Sequence, residues 1–191
     1  MHTDLLLIDD FLERADREAI LAELRGASGS AATVYAGAPT GRVAPTVRKA
    51  TRLVASTATR DVLLDKLGRA MPDLAQRFGA VLTQCEEPQF LRYETGGYFV
   101  AHQDGNTPLI FDDSRHRRIS TVIFLNAQSE APATDMYGGG TLLIHGRFPD
   151  IAARTLVPAA PGTLVAFRSE TTHEVTPVTH GERYSIVSWY R

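Results

Sequence analysis

Three side chains that could bind one metal ion stand in two separate parts of the sequence, with His102 and Asp104 in one and His173 in the other. Side chains two residues apart on a β-strand point to the same face, so His102 and Asp104 could reach one ion while Gln103 points away. Because His-x-Asp also occurs by chance, this pair alone favours an exposed turn. With His173 from a distant strand, two imidazoles and a carboxylate form a facial triad, which suits ferrous iron and leaves coordination positions open.

A second candidate group follows ten residues after His173. If residues 183–185 form a strand, Arg183 and Ser185 share a face. A buried arginine is costly unless it is paired, and no acid in the strand lies on that face. A buried Arg183 therefore implies an anionic ligand, and a carboxylate held by the guanidinium fork fits best, with Ser185 adding a hydroxyl. The alternative is an arginine at the rim that pairs with Glu182 or Glu174.

Two tyrosines precede the first histidine, and their hydroxyl groups could reach an incoming carboxylate. Tyr93 and Tyr98 are predicted to lie on a hairpin that bends at Gly96 and Gly97. Tyr93 is the better candidate, and the alternative for both is ordinary aromatic packing. Of the other histidines, His145 is expected at a strand edge or turn and His180 in a solvated turn. Four histidines are not assigned to the metal: His2, His116, His145 and His180.

Composition places the chain among single-domain globular proteins. Of its 191 residues 43% are hydrophobic and 22% charged, and a formal net charge of −2 gives no electrostatic footprint for nucleic acid or an anionic membrane. The single cysteine, Cys85, cannot form an intrachain disulfide and is expected to act as a small buried hydrophobe. The N-terminus has an acid where a secretion signal needs bases, and no stretch has transmembrane length, so a cytoplasmic location is expected.

The first half of the chain has helical periodicity. Asp9 and Asp10 are predicted to cap a helix that begins near Phe11 and stops at Gly26. A polar loop is expected over about 26–45. Ser56 or Thr57 is predicted to cap a second helix that runs to about residue 78 and breaks or kinks at Pro72.

From Pro88 onward the apolar pattern has period two, with turn residues between most segments. It predicts strands at 89–93, 98–103, 119–125, 141–144, 155–157, 163–167, 173–178 and 184–190. Many short strands favour a sandwich or barrel of antiparallel sheets, with the helices packed outside one sheet. We expect one mainly β domain over 1–191, with 1–85 as helical support and 86–191 as the catalytic β core.

Six stretches together resemble the prolyl 4-hydroxylase-like branch of the Fe(II)/2-oxoglutarate-dependent dioxygenases. They are LRYETGGYFVAHQD (91–104), RISTVIFLN (118–126), GGGTL (138–142), PGTLVAF (161–167), HEVTPV (173–178) and GERYSI (181–186). They cover about half of the chain, and their order and spacing agree with that family. The resemblance implies a double-stranded β-helix, a jelly roll of two facing sheets.

The resemblance also implies roles for the candidate residues. The iron ligands would be His102, Asp104 and His173, and Arg183 would bind the distal carboxylate of 2-oxoglutarate with help from Tyr93. Collagen-type members carry lysine where this chain has Arg183. A tyrosine that helps to bind the co-substrate in some members is replaced here by Phe124. The carboxylate clamp is therefore one hydroxyl short unless Ser185 or Thr121 compensates.

The activity implied is hydroxylation of a C–H bond of a peptidyl residue such as proline, coupled to decarboxylation of 2-oxoglutarate to succinate, with ascorbate as a supporting reductant. The same chemistry on a free small molecule is the alternative. Two other classes stay open: a cupin-like metal barrel that is not an oxygenase, and a catalytically silent binding module on the same fold. Candidate substrate lids are 105–117, 127–137 and 36–45, and the oligomeric state is not predicted.

Overall fold

The computed structural model describes residues 5–34, 41–108, 110–146 and 150–191, so His2 and positions 36–40 of one candidate lid lie outside the described residues. Two α-helices are described, α1 (Arg14–Arg25) and α2 (Thr57–Phe78), with a short 3-10 helix at Asp113–His116. The described strands are β1 (Leu5–Ile8), β2 (Gly29–Ala31), β3 (Arg48–Lys49), β4 (Thr51–Leu53), β5 (Gln89–Tyr93), β6 (Tyr98–His102), β7 (Ile119–Phe124), β8 (Gly138–Gly139), β9 (Leu142–His145), β10 (Arg154–Leu156), β11 (Leu164–Arg168), β12 (His173–Val175), β13 (Val178–His180) and β14 (Arg183–Tyr190). No described helix combines the length and the apolar character that crossing a bilayer requires.

Two antiparallel sheets carry most of these strands. The larger has the order β1-β11-β7-β14-β5-β4-β2, and the smaller has the order β10-β9-β12-β6-β3. A short pair of β8 with β13 accompanies them. Apart from the predicted strand 173–178, each predicted strand is present within one or two residues of its expected bounds, and the antiparallel arrangement agrees with the prediction.

The larger sheet is buried on both faces, because alternate residues of its strands divide between two cores. On one face, Ile123 and Ile186 pack against buried leucines of both helices, which are Leu21, Leu24, Leu63, Leu67 and Leu74. On the other face, Val122 and Phe124 pack against residues of the smaller sheet, among them Leu142. The expectation that the helices cover one sheet of a two-sheet sandwich is confirmed.

The helices correct the predicted start of α1 and the predicted break of α2 at Pro72. Helix α1 begins at Arg14 rather than near Phe11, because Asp10 has a positive φ of 51° and the Asp9 carboxylate accepts the Thr163 hydroxyl at 3.0 Å. Helix α2 runs through Pro72 without a break. Pro72 lies on the exposed side of the helix, where water can bind the Gly68 carbonyl that loses its partner.

The strands require four further corrections. Strands β5 and β6 do not form a hairpin, since β5 belongs to the larger sheet and β6 to the smaller one. The predicted strand 173–178 ends at Val175 and resumes at Val178, because Pro177 cannot donate to a ladder. His180 lies in β13 with a buried Nε2 rather than in a solvated turn. The segment before residue 86 also contributes four strands that the pattern did not predict, β1 to β4.

Glu23 of α1 joins the two helices by capping the start of α2. Its carboxylate accepts hydrogen bonds from the Ser56 backbone N–H at 2.5 Å and from the Thr59 hydroxyl at 2.5 Å. The first turn of α2 has no acidic residue, so Glu23 supplies the negative charge that a helix N-terminus favours. The hydrogen bond from Ser56, followed by that from Thr59, lowers the pKa of Glu23.

This contact predicts a pH-dependent contribution to stability. Ionised Glu23 stabilises the fold above its ordinary pKa of 4.5, and the contribution disappears as the pH falls through the lower folded value. Glu23→Gln is therefore expected to lower Tm at pH 7, and its difference in Tm from wild type should shrink as the pH falls below 4.5, as followed by circular dichroism. Glu130→Gln, at an exposed position, is the control with no change. A Tm difference that stays the same as the pH falls would contradict the role of the Glu23 charge.

Candidate metal centre and carboxylate pocket

Three side chains from the smaller sheet and the segment after it converge on one point. His102 ends β6 and His173 begins β12, and the two are direct partners in the antiparallel ladder. Asp104 is held beside them by a backbone hydrogen bond to Ser169 at 2.9 Å. Its carboxylate oxygens lie 3.5 Å from Nε2 of each histidine, and the potential ligand atoms all lie within 4.8 Å of one another. The predicted triad is thus brought together, with spacing that a metal ion could bridge.

The backbone fixes the tautomer of both imidazoles. Nδ1 of His102 contacts the Val100 carbonyl at 2.8 Å, and Nδ1 of His173 contacts the Thr171 carbonyl at 2.9 Å. Because a carbonyl can only accept, each Nδ1 carries the proton and each Nε2 presents a lone pair. A carbonyl on the outer nitrogen is a common orienting partner of a metal-bound histidine.

Charges in the triad match those of a metal site. Burial, and then the nearby charge of His102, lower the pKa of His173 to about 4, which keeps its imidazole neutral at physiological pH. Burial alone would raise the pKa of Asp104, but His173 and His102 outweigh it and hold that pKa well below its usual range. The site therefore offers imidazole nitrogens and an anionic oxygen, the donor set that suits divalent iron.

Arg183 is buried in the same region without an acidic partner among the described residues. It is 1% exposed, donates to the Ser185 hydroxyl at 2.8 Å, and has no partner for Nε. The predicted alternative pairs are not formed within 4 Å: Glu182 accepts from Tyr184, and Glu174 lies 3.2 Å from Nε2 of His145. A buried guanidinium left so incompletely bonded is expected to bind an anion.

The surroundings of Arg183 include one residue that the sequence reasoning missed. The rings of Tyr93 and Phe124 lie 5.2 and 5.4 Å from its guanidinium carbon. Tyr137 is fully buried and its hydroxyl has no hydrogen-bond partner among the described residues. Burial raises the pKa of Tyr137, although the neighbouring Arg183 opposes the increase.

The spacing beside these residues requires glycine. Gly140 has a φ of +57°, and a Cβ there would lie 3.0 Å from Arg183 and 3.2 Å from Tyr137. The run 138–140 belongs to the stretch GGGTL, and the position of Tyr137 directly before it is the signal in the sequence for this residue. Of the hydroxyls proposed to replace the one absent at Phe124, that of Ser185 contacts Arg183, whereas that of Thr121 donates to the Ser188 carbonyl at 3.0 Å.

A cavity of about 230 Å³ lies between the sheets and reaches both groups. Its lining includes the triad together with Arg183, Ser185 and Tyr93. Tyr98 is not part of the lining and donates to the Pro45 carbonyl at 2.9 Å, so the preference for Tyr93 agrees with the geometry. The candidate lid 105–117 contributes Ile110, Ser114 and Arg117 to the wall.

The sequence matches the family described as the 2OG-Fe(II) oxygenase superfamily over residues 88–191. The matching segment is more than half of the chain and contains the triad and Arg183, and the chain belongs to this family. Membership specifies Fe(II) as the cofactor and 2-oxoglutarate as the co-substrate, as predicted. The donor set and the buried cation described above fit both groups.

Several curated relatives are PKHD-type hydroxylases. One from Paracoccus denitrificans is 34% identical over 104 residues, which is 53% of this chain and 41% of the relative. Another from Shewanella oneidensis is 32% identical over 149 residues, which is 72% of this chain and 62% of the relative. The chain thus spans less than two thirds of the length of these relatives.

Solved structures share the fold. A Pseudomonas putida prolyl-4-hydroxylase matches with a TM-score of 0.71 at 23% identity, covering 99% of this chain and 92% of that one. A Trichoplax adhaerens prolyl hydroxylase, solved with a peptide fragment of a hypoxia inducible factor, matches with a TM-score of 0.71 at 18% identity, covering 98% and 83%. This likeness confirms the predicted jelly roll.

Removal of a triad side chain is expected to weaken iron binding. Asp104→Ala or His102→Ala should lower the affinity for Fe(II) by at least about a hundredfold, since loss of a group that only orients a metal ligand already costs about 10–100-fold. Anaerobic competition with a chromogenic chelator measures the affinity. His116→Ala removes an exposed histidine outside the cluster and should bind iron like wild type. Equal affinities across all four proteins would show that the triad is not the iron site.

Proposed function

We propose that this chain is an Fe(II)- and 2-oxoglutarate-dependent dioxygenase that hydroxylates a C–H bond of a peptidyl residue, coupled to decarboxylation of 2-oxoglutarate to succinate. One observation carries the proposal: the His102, Asp104 and His173 side chains line the same cavity as a buried Arg183, which has no acidic partner in the described part of the chain. A cupin-like metal barrel would have no use for that arginine. A silent binding module would have no need of a complete triad.

Each side chain has a proposed role in this chemistry. His102, Asp104 and His173 would hold the iron, and three protein ligands would leave it able to bind 2-oxoglutarate and O₂. Arg183 binds the distal carboxylate of 2-oxoglutarate, with Tyr93 and Ser185 beside it. The unpaired hydroxyl of Tyr137 is suited to replace the one absent at Phe124. Iron and 2-oxoglutarate, when bound, supply the oxidising power, and ascorbate serves as the reductant that restores oxidised iron.

The peptidyl substrate is supported by the names of similar proteins. The relatives are hydroxylases, and the structural neighbours include prolyl hydroxylases, one of them bound to a peptide fragment. We therefore take proline as the first residue to test. The same chemistry on a free small molecule is an outcome that the test below distinguishes.

Succinate release tests the activity. Wild type supplied with Fe(II) and 2-oxoglutarate is expected to release succinate, with further stimulation by a proline-containing peptide, and His102→Ala should release none above the iron-only background. Mass spectrometry of the peptide should show a gain of one oxygen. Stimulation by free L-proline alone would favour the small-molecule substrate. Identical succinate release from wild type and His102→Ala would refute the proposal.

The role of Arg183 has a separate test. Arg183→Gln leaves a shorter polar side chain without the charge, so the apparent KM for 2-oxoglutarate should rise about a hundredfold, as expected when one partner of a buried charge pair is removed. Iron affinity should change little. Arg92→Gln, on the neighbouring strand and already paired with Glu94, is the matched control. Loss of iron with an unchanged KM would show that Arg183 serves the metal centre instead.

A further inference from the structure

A short segment carries two arginines to opposite walls of the cavity. Strand β3 pairs with β6 of the smaller sheet, where Arg48 lies opposite Phe99. Strand β4, which follows after one residue, pairs with β5 of the larger sheet, where Arg52 lies opposite Leu91. The chain crosses between the sheets at this point, and both arginines line the cavity that holds the triad.

Arg48 is a buried cation without an acidic partner. It is 9% exposed, and its one hydrogen bond among the described residues is to the Thr33 carbonyl at 3.3 Å, near the long end of the range. Its Nε has no partner, and no described carboxylate lies within 4.0 Å of its guanidinium. A guanidinium has five N–H donors, so most of the hydrogen-bonding capacity of Arg48 is unused.

Aromatic stacking places Arg48 close to the metal centre. Its guanidinium carbon lies 4.7 Å from the centre of the Phe99 ring, and Phe99 stacks on the His102 imidazole at 3.5 Å with an angle of 17° between planes. A group bound by Arg48 would therefore lie one aromatic ring away from a proposed iron ligand. At that distance Arg48 could bind one group of a substrate while a C–H bond next to that group faces the iron.

The charges of the cavity leave Arg48 unbalanced. Among the described residues, four arginines line it, namely Arg48, Arg52, Arg117 and Arg183, against a single acid, Asp104, although the whole chain has a net charge of −2. Arg117 is neutralised by two contacts to Glu86, at 2.7 and 2.9 Å. Divalent iron, dianionic 2-oxoglutarate, Asp104 and Arg183 together carry no net charge. Arg48 and the exposed Arg52 remain without a counter-charge.

We infer that Arg48 is the anchor for an anionic group, a carboxylate or a phosphate, on the prime substrate. This inference rests on the proposed function, and it narrows the substrate from any peptidyl residue to one with an anion close to the oxidised carbon. A wall residue that only supported Phe99 would have no need of a charge, and burial of an unpaired charge is costly. The planar guanidinium of Arg48 can bind an anion with two hydrogen bonds, and an anion bound there would balance the buried charge.

Binding can be measured without turnover, because the chain has one tryptophan and Trp189 lines the cavity. Protein loaded anaerobically with Fe(II) and 2-oxoglutarate is titrated with matched capped peptides and followed by Trp189 fluorescence. The pairs contain proline beside glutamate or glutamine, and proline beside phosphoserine or serine. L-proline and L-prolinamide form a third pair. We expect wild type to bind the anionic member of at least one pair tenfold or more tightly, and the responding pair identifies the source of the anion.

The variants assign that preference to Arg48. Arg48→Gln should bring the two members of the responding pair to within about twofold of each other, and Arg48→Lys, which keeps the charge but loses the fork, should retain part of the preference. Lys49→Gln makes the same charge change at an exposed position on the same strand and should behave like wild type. Circular dichroism checks that each variant is folded. If Arg48→Gln is unfolded, the partial loss of preference in Arg48→Lys is the test.

Two results would overturn the inference: no preference for any anionic member in wild type, or a preference that survives in Arg48→Gln. Loss of the preference in Arg52→Gln while Arg48→Gln keeps it would also overturn it, since the anchor would then be Arg52. Failure of the proposed function is distinguishable, because that failure appears as absence of succinate release from wild type. Selective binding of the anionic peptides would still support Arg48 as the anchor.

Discussion

The burial of charge between two sheets is the constraint on which the rest of the structure depends. Asp104, Arg48 and Arg183 all line a cavity enclosed by apolar strands, and the two arginines are 9% and 1% exposed. Charges in such a place are costly without partners, and the described residues supply few. The ligands of the family, a metal dication and a dicarboxylate, are the partners that remove most of this cost.

This arrangement needs both sheets, because neither contains the whole site. The triad comes from the smaller sheet and the segment after it, whereas Tyr93 and Arg183 are direct partners on the larger sheet. The core between the sheets, formed by residues such as Phe124 and Phe167, fixes the distance between the metal centre and the carboxylate site. A change in the packing of that core would therefore shift the two halves of the site relative to each other.

Much of the site could be predicted from the sequence because its signals are local. Arg183 and Ser185 share a face of β14, so period-two reasoning places that pair correctly. The same reasoning brings His102 and Asp104 together, although Asp104 lies just beyond the end of β6. The crossing of the chain from one sheet to the other could not be predicted this way. Strand pairing depends on partners that are distant in the sequence. The residues of β1 to β4 therefore show only a weak local pattern for strands. Tyr137 was missed for the same reason.

Strand β14 shows why the helical half of the chain matters for the chemistry. Its residues alternate, so that Arg183 and Ser185 face the cavity while Tyr184 and Ile186 face the helices. Tyr190, at its end, donates to the Leu67 carbonyl of α2 at 2.9 Å. Helix α2 therefore fixes the position of β14, which carries Arg183. The packing of the opposite face of β14 offsets the cost of burying the Arg183 guanidinium in the cavity. The stability of the helical layer and the order of the carboxylate site are, by this geometry, parts of one structure.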